Sequence, residues 1–322
     1  MTSKKGSPAK ESPIRTQADF ERYLNNADAG EAEAQYEIAR LYGTGSQQLG
    51  IAADPAQSLY WVRCAAEQQY AEAFNFLGLI YTHGDGVEPS DEKAYQYYAQ
   101  AAQLGSPYAM SNLAWAFFTG TGTEIDYKEA LKWAKKAEES EIENAKLLLA
   151  NLYYHGLGTR KNYKKAFALF LPFAQQGDGL SQYYIAQCYL LGQGVELSDA
   201  EAAKWFIKAA QQDVPEAQTQ LGMMLASGSG LEPNTDAAAH WWDKAAAKGE
   251  STAELMLYYY YANEKTGNDL KKALQWLRKA AEHGEEQAIE ELESMEEQAL
   301  KNVFGEILSQ KTDLDKNKKH SP

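Results

Sequence analysis

The feature that most constrains the fold of this chain is an internal repeat with a period of about 36 residues. A large, mostly aromatic residue recurs once per copy, and the first copy is three residues longer than the others. These positions are Tyr42, Tyr81, Phe117, Tyr153, Tyr189, Leu225 and Tyr261. In the first six copies a glycine follows three residues later, which predicts a helix end, because glycine readily adopts the left-handed backbone found there. The pattern predicts seven units, with a glycine turn at the same place in the first six.

A second set of positions predicts another helix in each unit. A small residue is followed three positions later by a large one, at Trp61, Tyr97, Trp133, Leu169, Trp205, Trp241 and Trp276. Residues at this spacing lie on one face of a helix. Each unit therefore contains helix A, a turn and helix B. Because one helix pair cannot bury both of its apolar faces, we expect the pairs to stack into an all-α, right-handed solenoid with helix A on the inner wall.

The repeats predict a division of the chain into units, caps and tails. The seven repeats are 31–69, 70–105, 106–141, 142–177, 178–213, 214–249 and 250–284. Amphipathic segments at 17–30 and 285–310 are predicted to form capping helices, because the end repeats of such an array would otherwise expose an apolar face. The tails, 1–16 and 311–322, have a basic excess and no apolar pattern, and we expect them to be disordered.

These residues resemble the Sel1-like repeat (SLR) family, which is related to the tetratricopeptide repeats. The stretch from Ala73 to Val87 matches the helix A and Gly-x-Gly part of the family pattern, and the stretch from Gln187 to Gln211 matches it through helix B. The resemblance covers about residues 30–284. It implies an α-solenoid that acts as an adaptor or scaffold and binds protein partners on its concave face. It does not imply a substrate.

Charge and composition limit the possible partners and location. The chain has 31 basic and 45 acidic residues, and both tails are basic, so the body between them is strongly acidic. Such a body repels phosphate backbones, which argues against nucleic acid and anionic membranes as partners. No segment has the roughly 20 apolar residues of a membrane span, and no apolar signal core follows Met1. We expect a cytoplasmic protein whose two cysteines, Cys64 and Cys188, are free thiols.

The sequence has no arrangement typical of a catalytic or metal site. It has no His-Glu-x-x-His, no paired cysteine spacing and no Gly-x-Ser-x-Gly. The glycine pairs recur in successive units and are not followed by Gly-Lys-Ser/Thr, so they predict turns rather than phosphate loops. His83 and His155 stand two units apart, too far to share a metal. We expect a protein that is not an enzyme and that carries no cofactor or metal.

The resemblance also implies which residues of helix A face the groove. In units three to five these are Tyr108, Ser111, Trp115, Phe118, Asn144, Leu147, Asn151, Tyr154, Tyr183, Gln187 and Leu190. Aromatic residues flanked by amides are typical of protein-binding hot spots. Toward the ends the same positions are mainly polar, at Glu33, Arg40, Glu72, Asn75, Glu216, Thr219 and Met223. An alternative is that facing A helices press these side chains together and bury them within the fold.

We therefore predict a non-enzymatic adaptor or scaffold that binds a protein or peptide in its concave groove. One version is an inhibitor or immunity-type protein of a bacterium, whose acidic body binds a basic effector. The alternative is a receptor for a small molecule, such as a peptidoglycan fragment, or an enzyme with its site in the groove. A closed pocket with convergent carboxylates would favour that alternative, whereas an open trough would favour a protein or peptide.

Overall fold

The computed structural model describes residues 12–298, which form two compact units, one ending at Leu169 and the other beginning at Phe170. The helices are α1 Gln17–Asp28, α2 Ala32–Thr44, α3 Pro55–Glu67, α4 Ala71–His83, α5 Asp91–Gln103, α6 Pro107–Thr119, α7 Tyr127–Glu138, α8 Glu143–His155, α9 Tyr163–Gln175, α10 Gly179–Leu191, α11 Asp199–Gln211, α12 Pro215–Ser227, α13 Thr235–Ala246, α14 Ser251–Ala262 and α15 Leu270–Glu282. A further helical segment, α16, occupies residues 286–298. Within the described residues the only β pairing is an isolated bridge between Ser46 and Ile51. The predicted all-α, helical-repeat fold is confirmed.

The even-numbered helices from α2 to α14 are the A helices, and the odd-numbered helices from α3 to α15 are the B helices. Six A helices, α2 to α12, end at a glycine whose φ lies between 63° at Gly192 and 79° at Gly228, as the turn pattern predicts. The second glycine of the turn has a different role. A side chain at Gly122 would overlap the backbone carbonyl of Asp91, at the start of the preceding B helix. The Gly-x-Gly turn therefore ends one helix and also lets the next unit approach closely.

Within a unit, the middle of helix A packs against a large side chain of helix B. A Cβ atom on Gly78 would lie 2.6 Å from Cδ1 of Tyr98, and one on Gly222 would lie 2.6 Å from Cδ1 of Trp242. One repeat before Gly222 and Trp242, the equivalent positions hold Ala186 and Phe206, both fully buried. In these three pairs, a smaller helix A residue accompanies a larger helix B ring.

The buried position of helix B is one residue beyond the predicted tryptophan position. Phe206 is fully buried and Trp242 is 6% exposed, whereas Trp205 and Trp241 are only half-buried. A lysine covers each of these outer rings, and Lys208 Nζ lies 4.0 Å from the Trp205 ring centroid. The tryptophans therefore lie at the edge of the core, where cation–π contacts cover them.

A buried glutamine links helix A to the end of the preceding helix in three places. Its Nε2 donates to a helix-end carbonyl in the pairs Gln35 to Ala27, Gln182 to Ala174 and Gln218 to Ala210, at 3.0 to 3.1 Å. In α14 this position holds Glu254, which is fully buried and cannot donate when ionised. Lys279 Nζ lies 2.9 Å from Glu254 Oε1, and His283 Nδ1 lies 2.7 Å from Oε2. Lys279 also donates to the Ala246 carbonyl at 3.5 Å, in place of the missing amide.

The ends of the described chain pack against the repeats. Thr16 and Asp19 form a capping box at the start of α1, and Ile14 is 5% exposed within the core, whereas the sequence predicts a disordered tail over residues 1–16. At the other end, Ala288 of α16 is fully buried against the last repeat. The predicted C-terminal cap beyond residue 298 and the tails at 1–11 and 311–322 lie outside the described residues.

Both cysteines are free thiols, as predicted. Cys64 is partly exposed and Cys188 is buried, and burial raises the pKa of the Cys188 thiol to about 12. Across residues 12–298, no helix is both long and apolar enough to cross a membrane.

Candidate functional site

Three A helices of the first compact unit, α4, α6 and α8, contact one another in order, and Phe76 on α4 meets the Tyr36 ring of α2. Helix α6 contacts both α4 and α8, whereas the direct contacts between successive B helices are weaker or absent in the described residues. Helices on the inner side of a curved stack are the ones that approach each other most closely. The exposed faces of α2, α4, α6 and α8 are therefore called the inner wall of the first unit below.

Most of the predicted groove residues of this unit lie on the inner wall and are partly exposed. They are Tyr108, Trp115 and Phe118 on α6, and Asn144, Leu147, Asn151 and Tyr154 on α8. Ser111 differs, because its side chain is only 2% exposed and its Oγ has no hydrogen-bond partner. Ser111 therefore contributes to helix packing and presents almost no surface.

Trp115 connects α6 to α8. Its indole N–H donates to the backbone carbonyl of Asn144 at 3.3 Å, and its ring meets Phe118 edge-on at a centroid distance of 5.5 Å. Phe118 packs in the same way against Tyr127 at 5.8 Å. The rings thus form a partly exposed aromatic surface that is held in place by neighbouring helices. The two interpretations from the sequence, an exposed binding surface and a set of side chains packed within the fold, both apply here. The rings support the fold and still face solvent.

The amide and tyrosine of α8 extend this surface. Asn151 Nδ2 donates to the Leu147 carbonyl at 2.9 Å, which leaves its Oδ1 available. The Tyr154 ring lies 5.3 Å from that of Tyr163, in an edge-on arrangement. Both side chains remain partly exposed.

The other predicted groove residues, Tyr183, Gln187 and Leu190, lie on α10 in the second compact unit and are partly exposed. Gln187 Nε2 donates to the Tyr183 hydroxyl at 3.0 Å, and the Tyr183 ring lies 6.0 Å from that of Phe206. Burial raises the pKa of Tyr183, so its hydroxyl stays protonated and can donate to a partner.

A second aromatic cluster, which the repeat pattern does not predict, lies on the inner wall at α2 and α4. The Tyr36 ring is 5.4 Å from the Tyr70 ring and 6.2 Å from the Phe76 ring. The repeat pattern predicts only polar rim residues here, including Glu33 and Glu72. The sequence signal for this cluster is Tyr36 itself. The extra residues of the first copy shift Tyr36 out of the 36-residue register of the repeat.

The described residues offer little that suits catalysis or metal binding. No group of three or more His, Cys, Asp or Glu side chains within residues 12–298 is arranged to hold a metal ion. An open cleft of about 620 Å³ lies at the turn formed by residues 44–53, and none of its lining side chains is ionisable. This cleft supplies no acid or base, so the inner wall remains the better candidate site.

Comparisons with known proteins agree with this architecture. The family model described as Sel1 repeat matches residues 32–70, 71–106, 107–140, 144–178, 179–214, 215–250 and 256–285. The crystal structure of c5321, a protective antigen of uropathogenic Escherichia coli strains with an SLR fold, is 31% identical with a TM-score of 0.64. That match covers 84% of this chain and 57% of c5321. A Sel1 repeat protein from Oxalobacter formigenes is 30% identical with a TM-score of 0.62, over 79% of this chain and 96% of that one.

A shorter match links the chain to chitin synthase regulatory factor 3 of Schizosaccharomyces pombe, with 36% identity over 88 residues. These residues are 27% of this chain and 9% of the yeast protein. The chain therefore spans only a small part of that relative and less than two thirds of c5321.

Proposed function

The chain belongs to the Sel1 repeat family, and from this membership we propose that it is a non-enzymatic adaptor that binds a partner protein or peptide on its A helices. Proteins of this family generally act as protein-interaction scaffolds. The observation that carries the proposal is the partly exposed aromatic surface of Trp115 and Phe118, with the amides of α8 beside it. Large amphipathic rings next to hydrogen-bonding groups are typical of protein-binding hot spots.

The extent of this surface favours a macromolecular partner. It runs over successive helices, and its side chains differ from helix to helix, which suits a chain of residues better than a compact ligand. The net charge of -14 further favours a basic partner, as an inhibitor or immunity-type role would require. We propose that this activity is bacterial, since the two solved relatives come from bacteria, and that the protein acts in the cytoplasm.

Two tryptophans of the first unit provide a matched test. Trp115 on α6 and Trp133 on α7 are both half-buried, and each donates one indole hydrogen bond, to the Asn144 carbonyl and to Glu129 Oε2 respectively. Only Trp115 faces the inner wall. We expect Trp115→Ala and Trp133→Ala to lower the melting temperature to a similar extent, because each removes one ring and one hydrogen bond.

Partner binding should separate the two variants. Affinity purification from the source cells, quantified by mass spectrometry, should recover the same partner with wild type and Trp133→Ala. Recovery with Trp115→Ala should fall at least about thirtyfold, the effect of losing a hot spot of about 2 kcal/mol. Equal recovery with both variants would refute a binding site on the inner wall.

A further inference from the structure

The inner wall changes character along its length, and its α2 and α4 end carries unbalanced negative charge. Glu33 and Glu72 stand in the first turns of these helices, and neither has a hydrogen bond or ion pair within the described residues. Arg40 is the one basic residue on these two helices apart from His83, and its Nη1 lies 3.1 Å from Glu37 Oε2. Neither Glu33 nor Glu72 has an ion-pair partner among residues 12–298, so their charges are open to a partner.

These carboxylates face the aromatic cluster of Tyr36, Tyr70 and Phe76. Burial, followed by the charges of Glu72, Glu33 and Glu37, raises the pKa of Tyr70 to about 12. The side chain of Arg40 shows which chemistry suits this surface, since its guanidinium lies 5.7 Å from the Tyr36 ring centroid while it pairs with a carboxylate. Aromatic faces beside carboxylates attract guanidinium and ammonium groups.

Next along the wall is a pair of amides that is only partly satisfied. Asn112 Nδ2 on α6 donates to Asn75 Oδ1 on α4 at 2.9 Å. The Asn75 amide hydrogens and Asn112 Oδ1 have no partner within the described residues, and both side chains are partly exposed. A free donor and a free acceptor side by side are complementary to the C=O and N–H of a peptide group. The aromatic surface of Trp115 and Phe118 follows on α6.

We propose that the inner wall of α2, α4 and α6 binds an extended peptide segment of a partner that carries a lysine or arginine at one end. The basic side chain lies between Glu33 and Glu72, where its charge complements theirs. The peptide backbone pairs with Asn75 and Asn112, and an apolar side chain of the segment contacts Trp115. Helices about 10 Å apart make this path roughly 20 Å long, which an extended segment of about six residues spans.

This inference rests on the proposed function and adds the chemistry of the partner. A phage-displayed library of random decapeptides, selected on the immobilised full-length chain, tests it. Selected peptides should be enriched in lysine or arginine a few residues from an aromatic or aliphatic residue. The variant Glu33→Gln/Glu72→Gln removes the two charges and keeps side-chain size, so selection on it should retain the apolar preference and lose the basic one.

A matched control removes two charges from the opposite face. Glu67 on α3 is exposed, Glu138 on α7 is partly exposed, and neither makes an ion pair within the described residues, so Glu67→Gln/Glu138→Gln changes the net charge equally. One selected peptide, labelled with fluorescein, should bind Glu33→Gln/Glu72→Gln about fivefold to thirtyfold more weakly than wild type, the range expected for two exposed ion pairs. The control should bind within about twofold of wild type, and roughly 0.5 M NaCl should remove most of the difference.

Four outcomes would overturn this inference. Selection of neutral or acidic peptides would refute the basic partner but leave the proposed function intact, since Trp115 could still be required for capture. Equal weakening by the control pair would mean that net charge, and not the α2 and α4 surface, attracts the peptide. If basic peptides bound only after deletion of residues 311–322, the occupant would be the basic tail of this chain. Failure of both the selection and the partner capture would refute the proposed function as well.

Discussion

The packing between helix A and helix B gives the sharpest test of the fold. We expect Gly222→Ala to destabilise the protein, although alanine is the better helix former by about 1 kcal/mol. The added methyl group would lie 2.6 Å from Cδ1 of Trp242, well inside contact distance. Overpacking of a core costs about 1–3 kcal/mol, so after the gain in helix propensity the net loss should be up to about 2 kcal/mol. Trp242→Phe alone should cost about 1–3 kcal/mol, because it leaves a cavity and removes the indole hydrogen bond to the Thr219 carbonyl.

The double variant Gly222→Ala/Trp242→Phe should be more stable than the sum of the two costs predicts. It recreates the pair formed by Ala186 and Phe206 one repeat earlier, where the same backbone positions hold a methyl group and a smaller ring. We expect a favourable coupling of at least about 1 kcal/mol in a double-mutant cycle, measured by urea unfolding and far-UV circular dichroism. The reciprocal change, Ala186→Gly/Phe206→Trp, should couple with the same sign. Additivity within about 0.5 kcal/mol in both cycles would refute the size complementarity inferred between the two helices.

Three further outcomes follow from buried groups. Burial raises the pKa of Glu250 above its ordinary value of 4.5. The protonated side chain therefore favours folding at low pH, and this stabilisation is lost as the pH rises through the folded pKa and the side chain ionises. Glu250→Gln, which can still accept from Thr219, should therefore raise the melting temperature at pH 7 and leave it unchanged below about pH 4. Iodoacetamide should label Cys64 and spare Cys188 in the native protein, which mass spectrometry of the digested product would show. Glu254→Gln should cost at least about 1 kcal/mol less in thermal unfolding than Glu254→Ala, because the amide can donate to the helix-end carbonyl as the equivalent glutamines do.

The fold could be predicted because the repeat combines several local signals that agree. A glycine such as Gly192 ends helix A by its positive φ, and large residues recur on fixed helical faces. The pattern was less exact about burial, because it places a large residue on one face of helix B without identifying the most buried position. The structure shows Phe206 and Trp242 buried there, one residue further on, while Trp205 lies at the edge under Lys208. Period and spacing identify a helical face to within about one residue, but they do not identify its most buried position.

Part of the candidate site was beyond prediction from the repeat alone. The A helix positions placed Trp115 and Phe118 on a shared surface, and the structure brings their rings together. Burial of Ser111 depends on how closely α6 packs against its neighbours, which spacing does not reveal. The α2 and α4 cluster includes Tyr70, which precedes helix A and so belongs to no groove position of the family pattern. Its contact with Tyr36 is set by the turn between units.

Glu254 shows why a repeat pattern predicts individual residues less accurately in the last unit of an array. Glutamine at this position donates a hydrogen bond to the preceding helix. From the sequence alone, a glutamate at the same position predicts an unfavourable buried charge. The compensation comes from Lys279 and His283, a full helix later, and Lys279 also takes over the hydrogen bond to the Ala246 carbonyl. A substitution that breaks a local rule is therefore tolerated when the next helix supplies both the counter-charge and the missing donor. Only a structure shows that these separate positions belong to one contact.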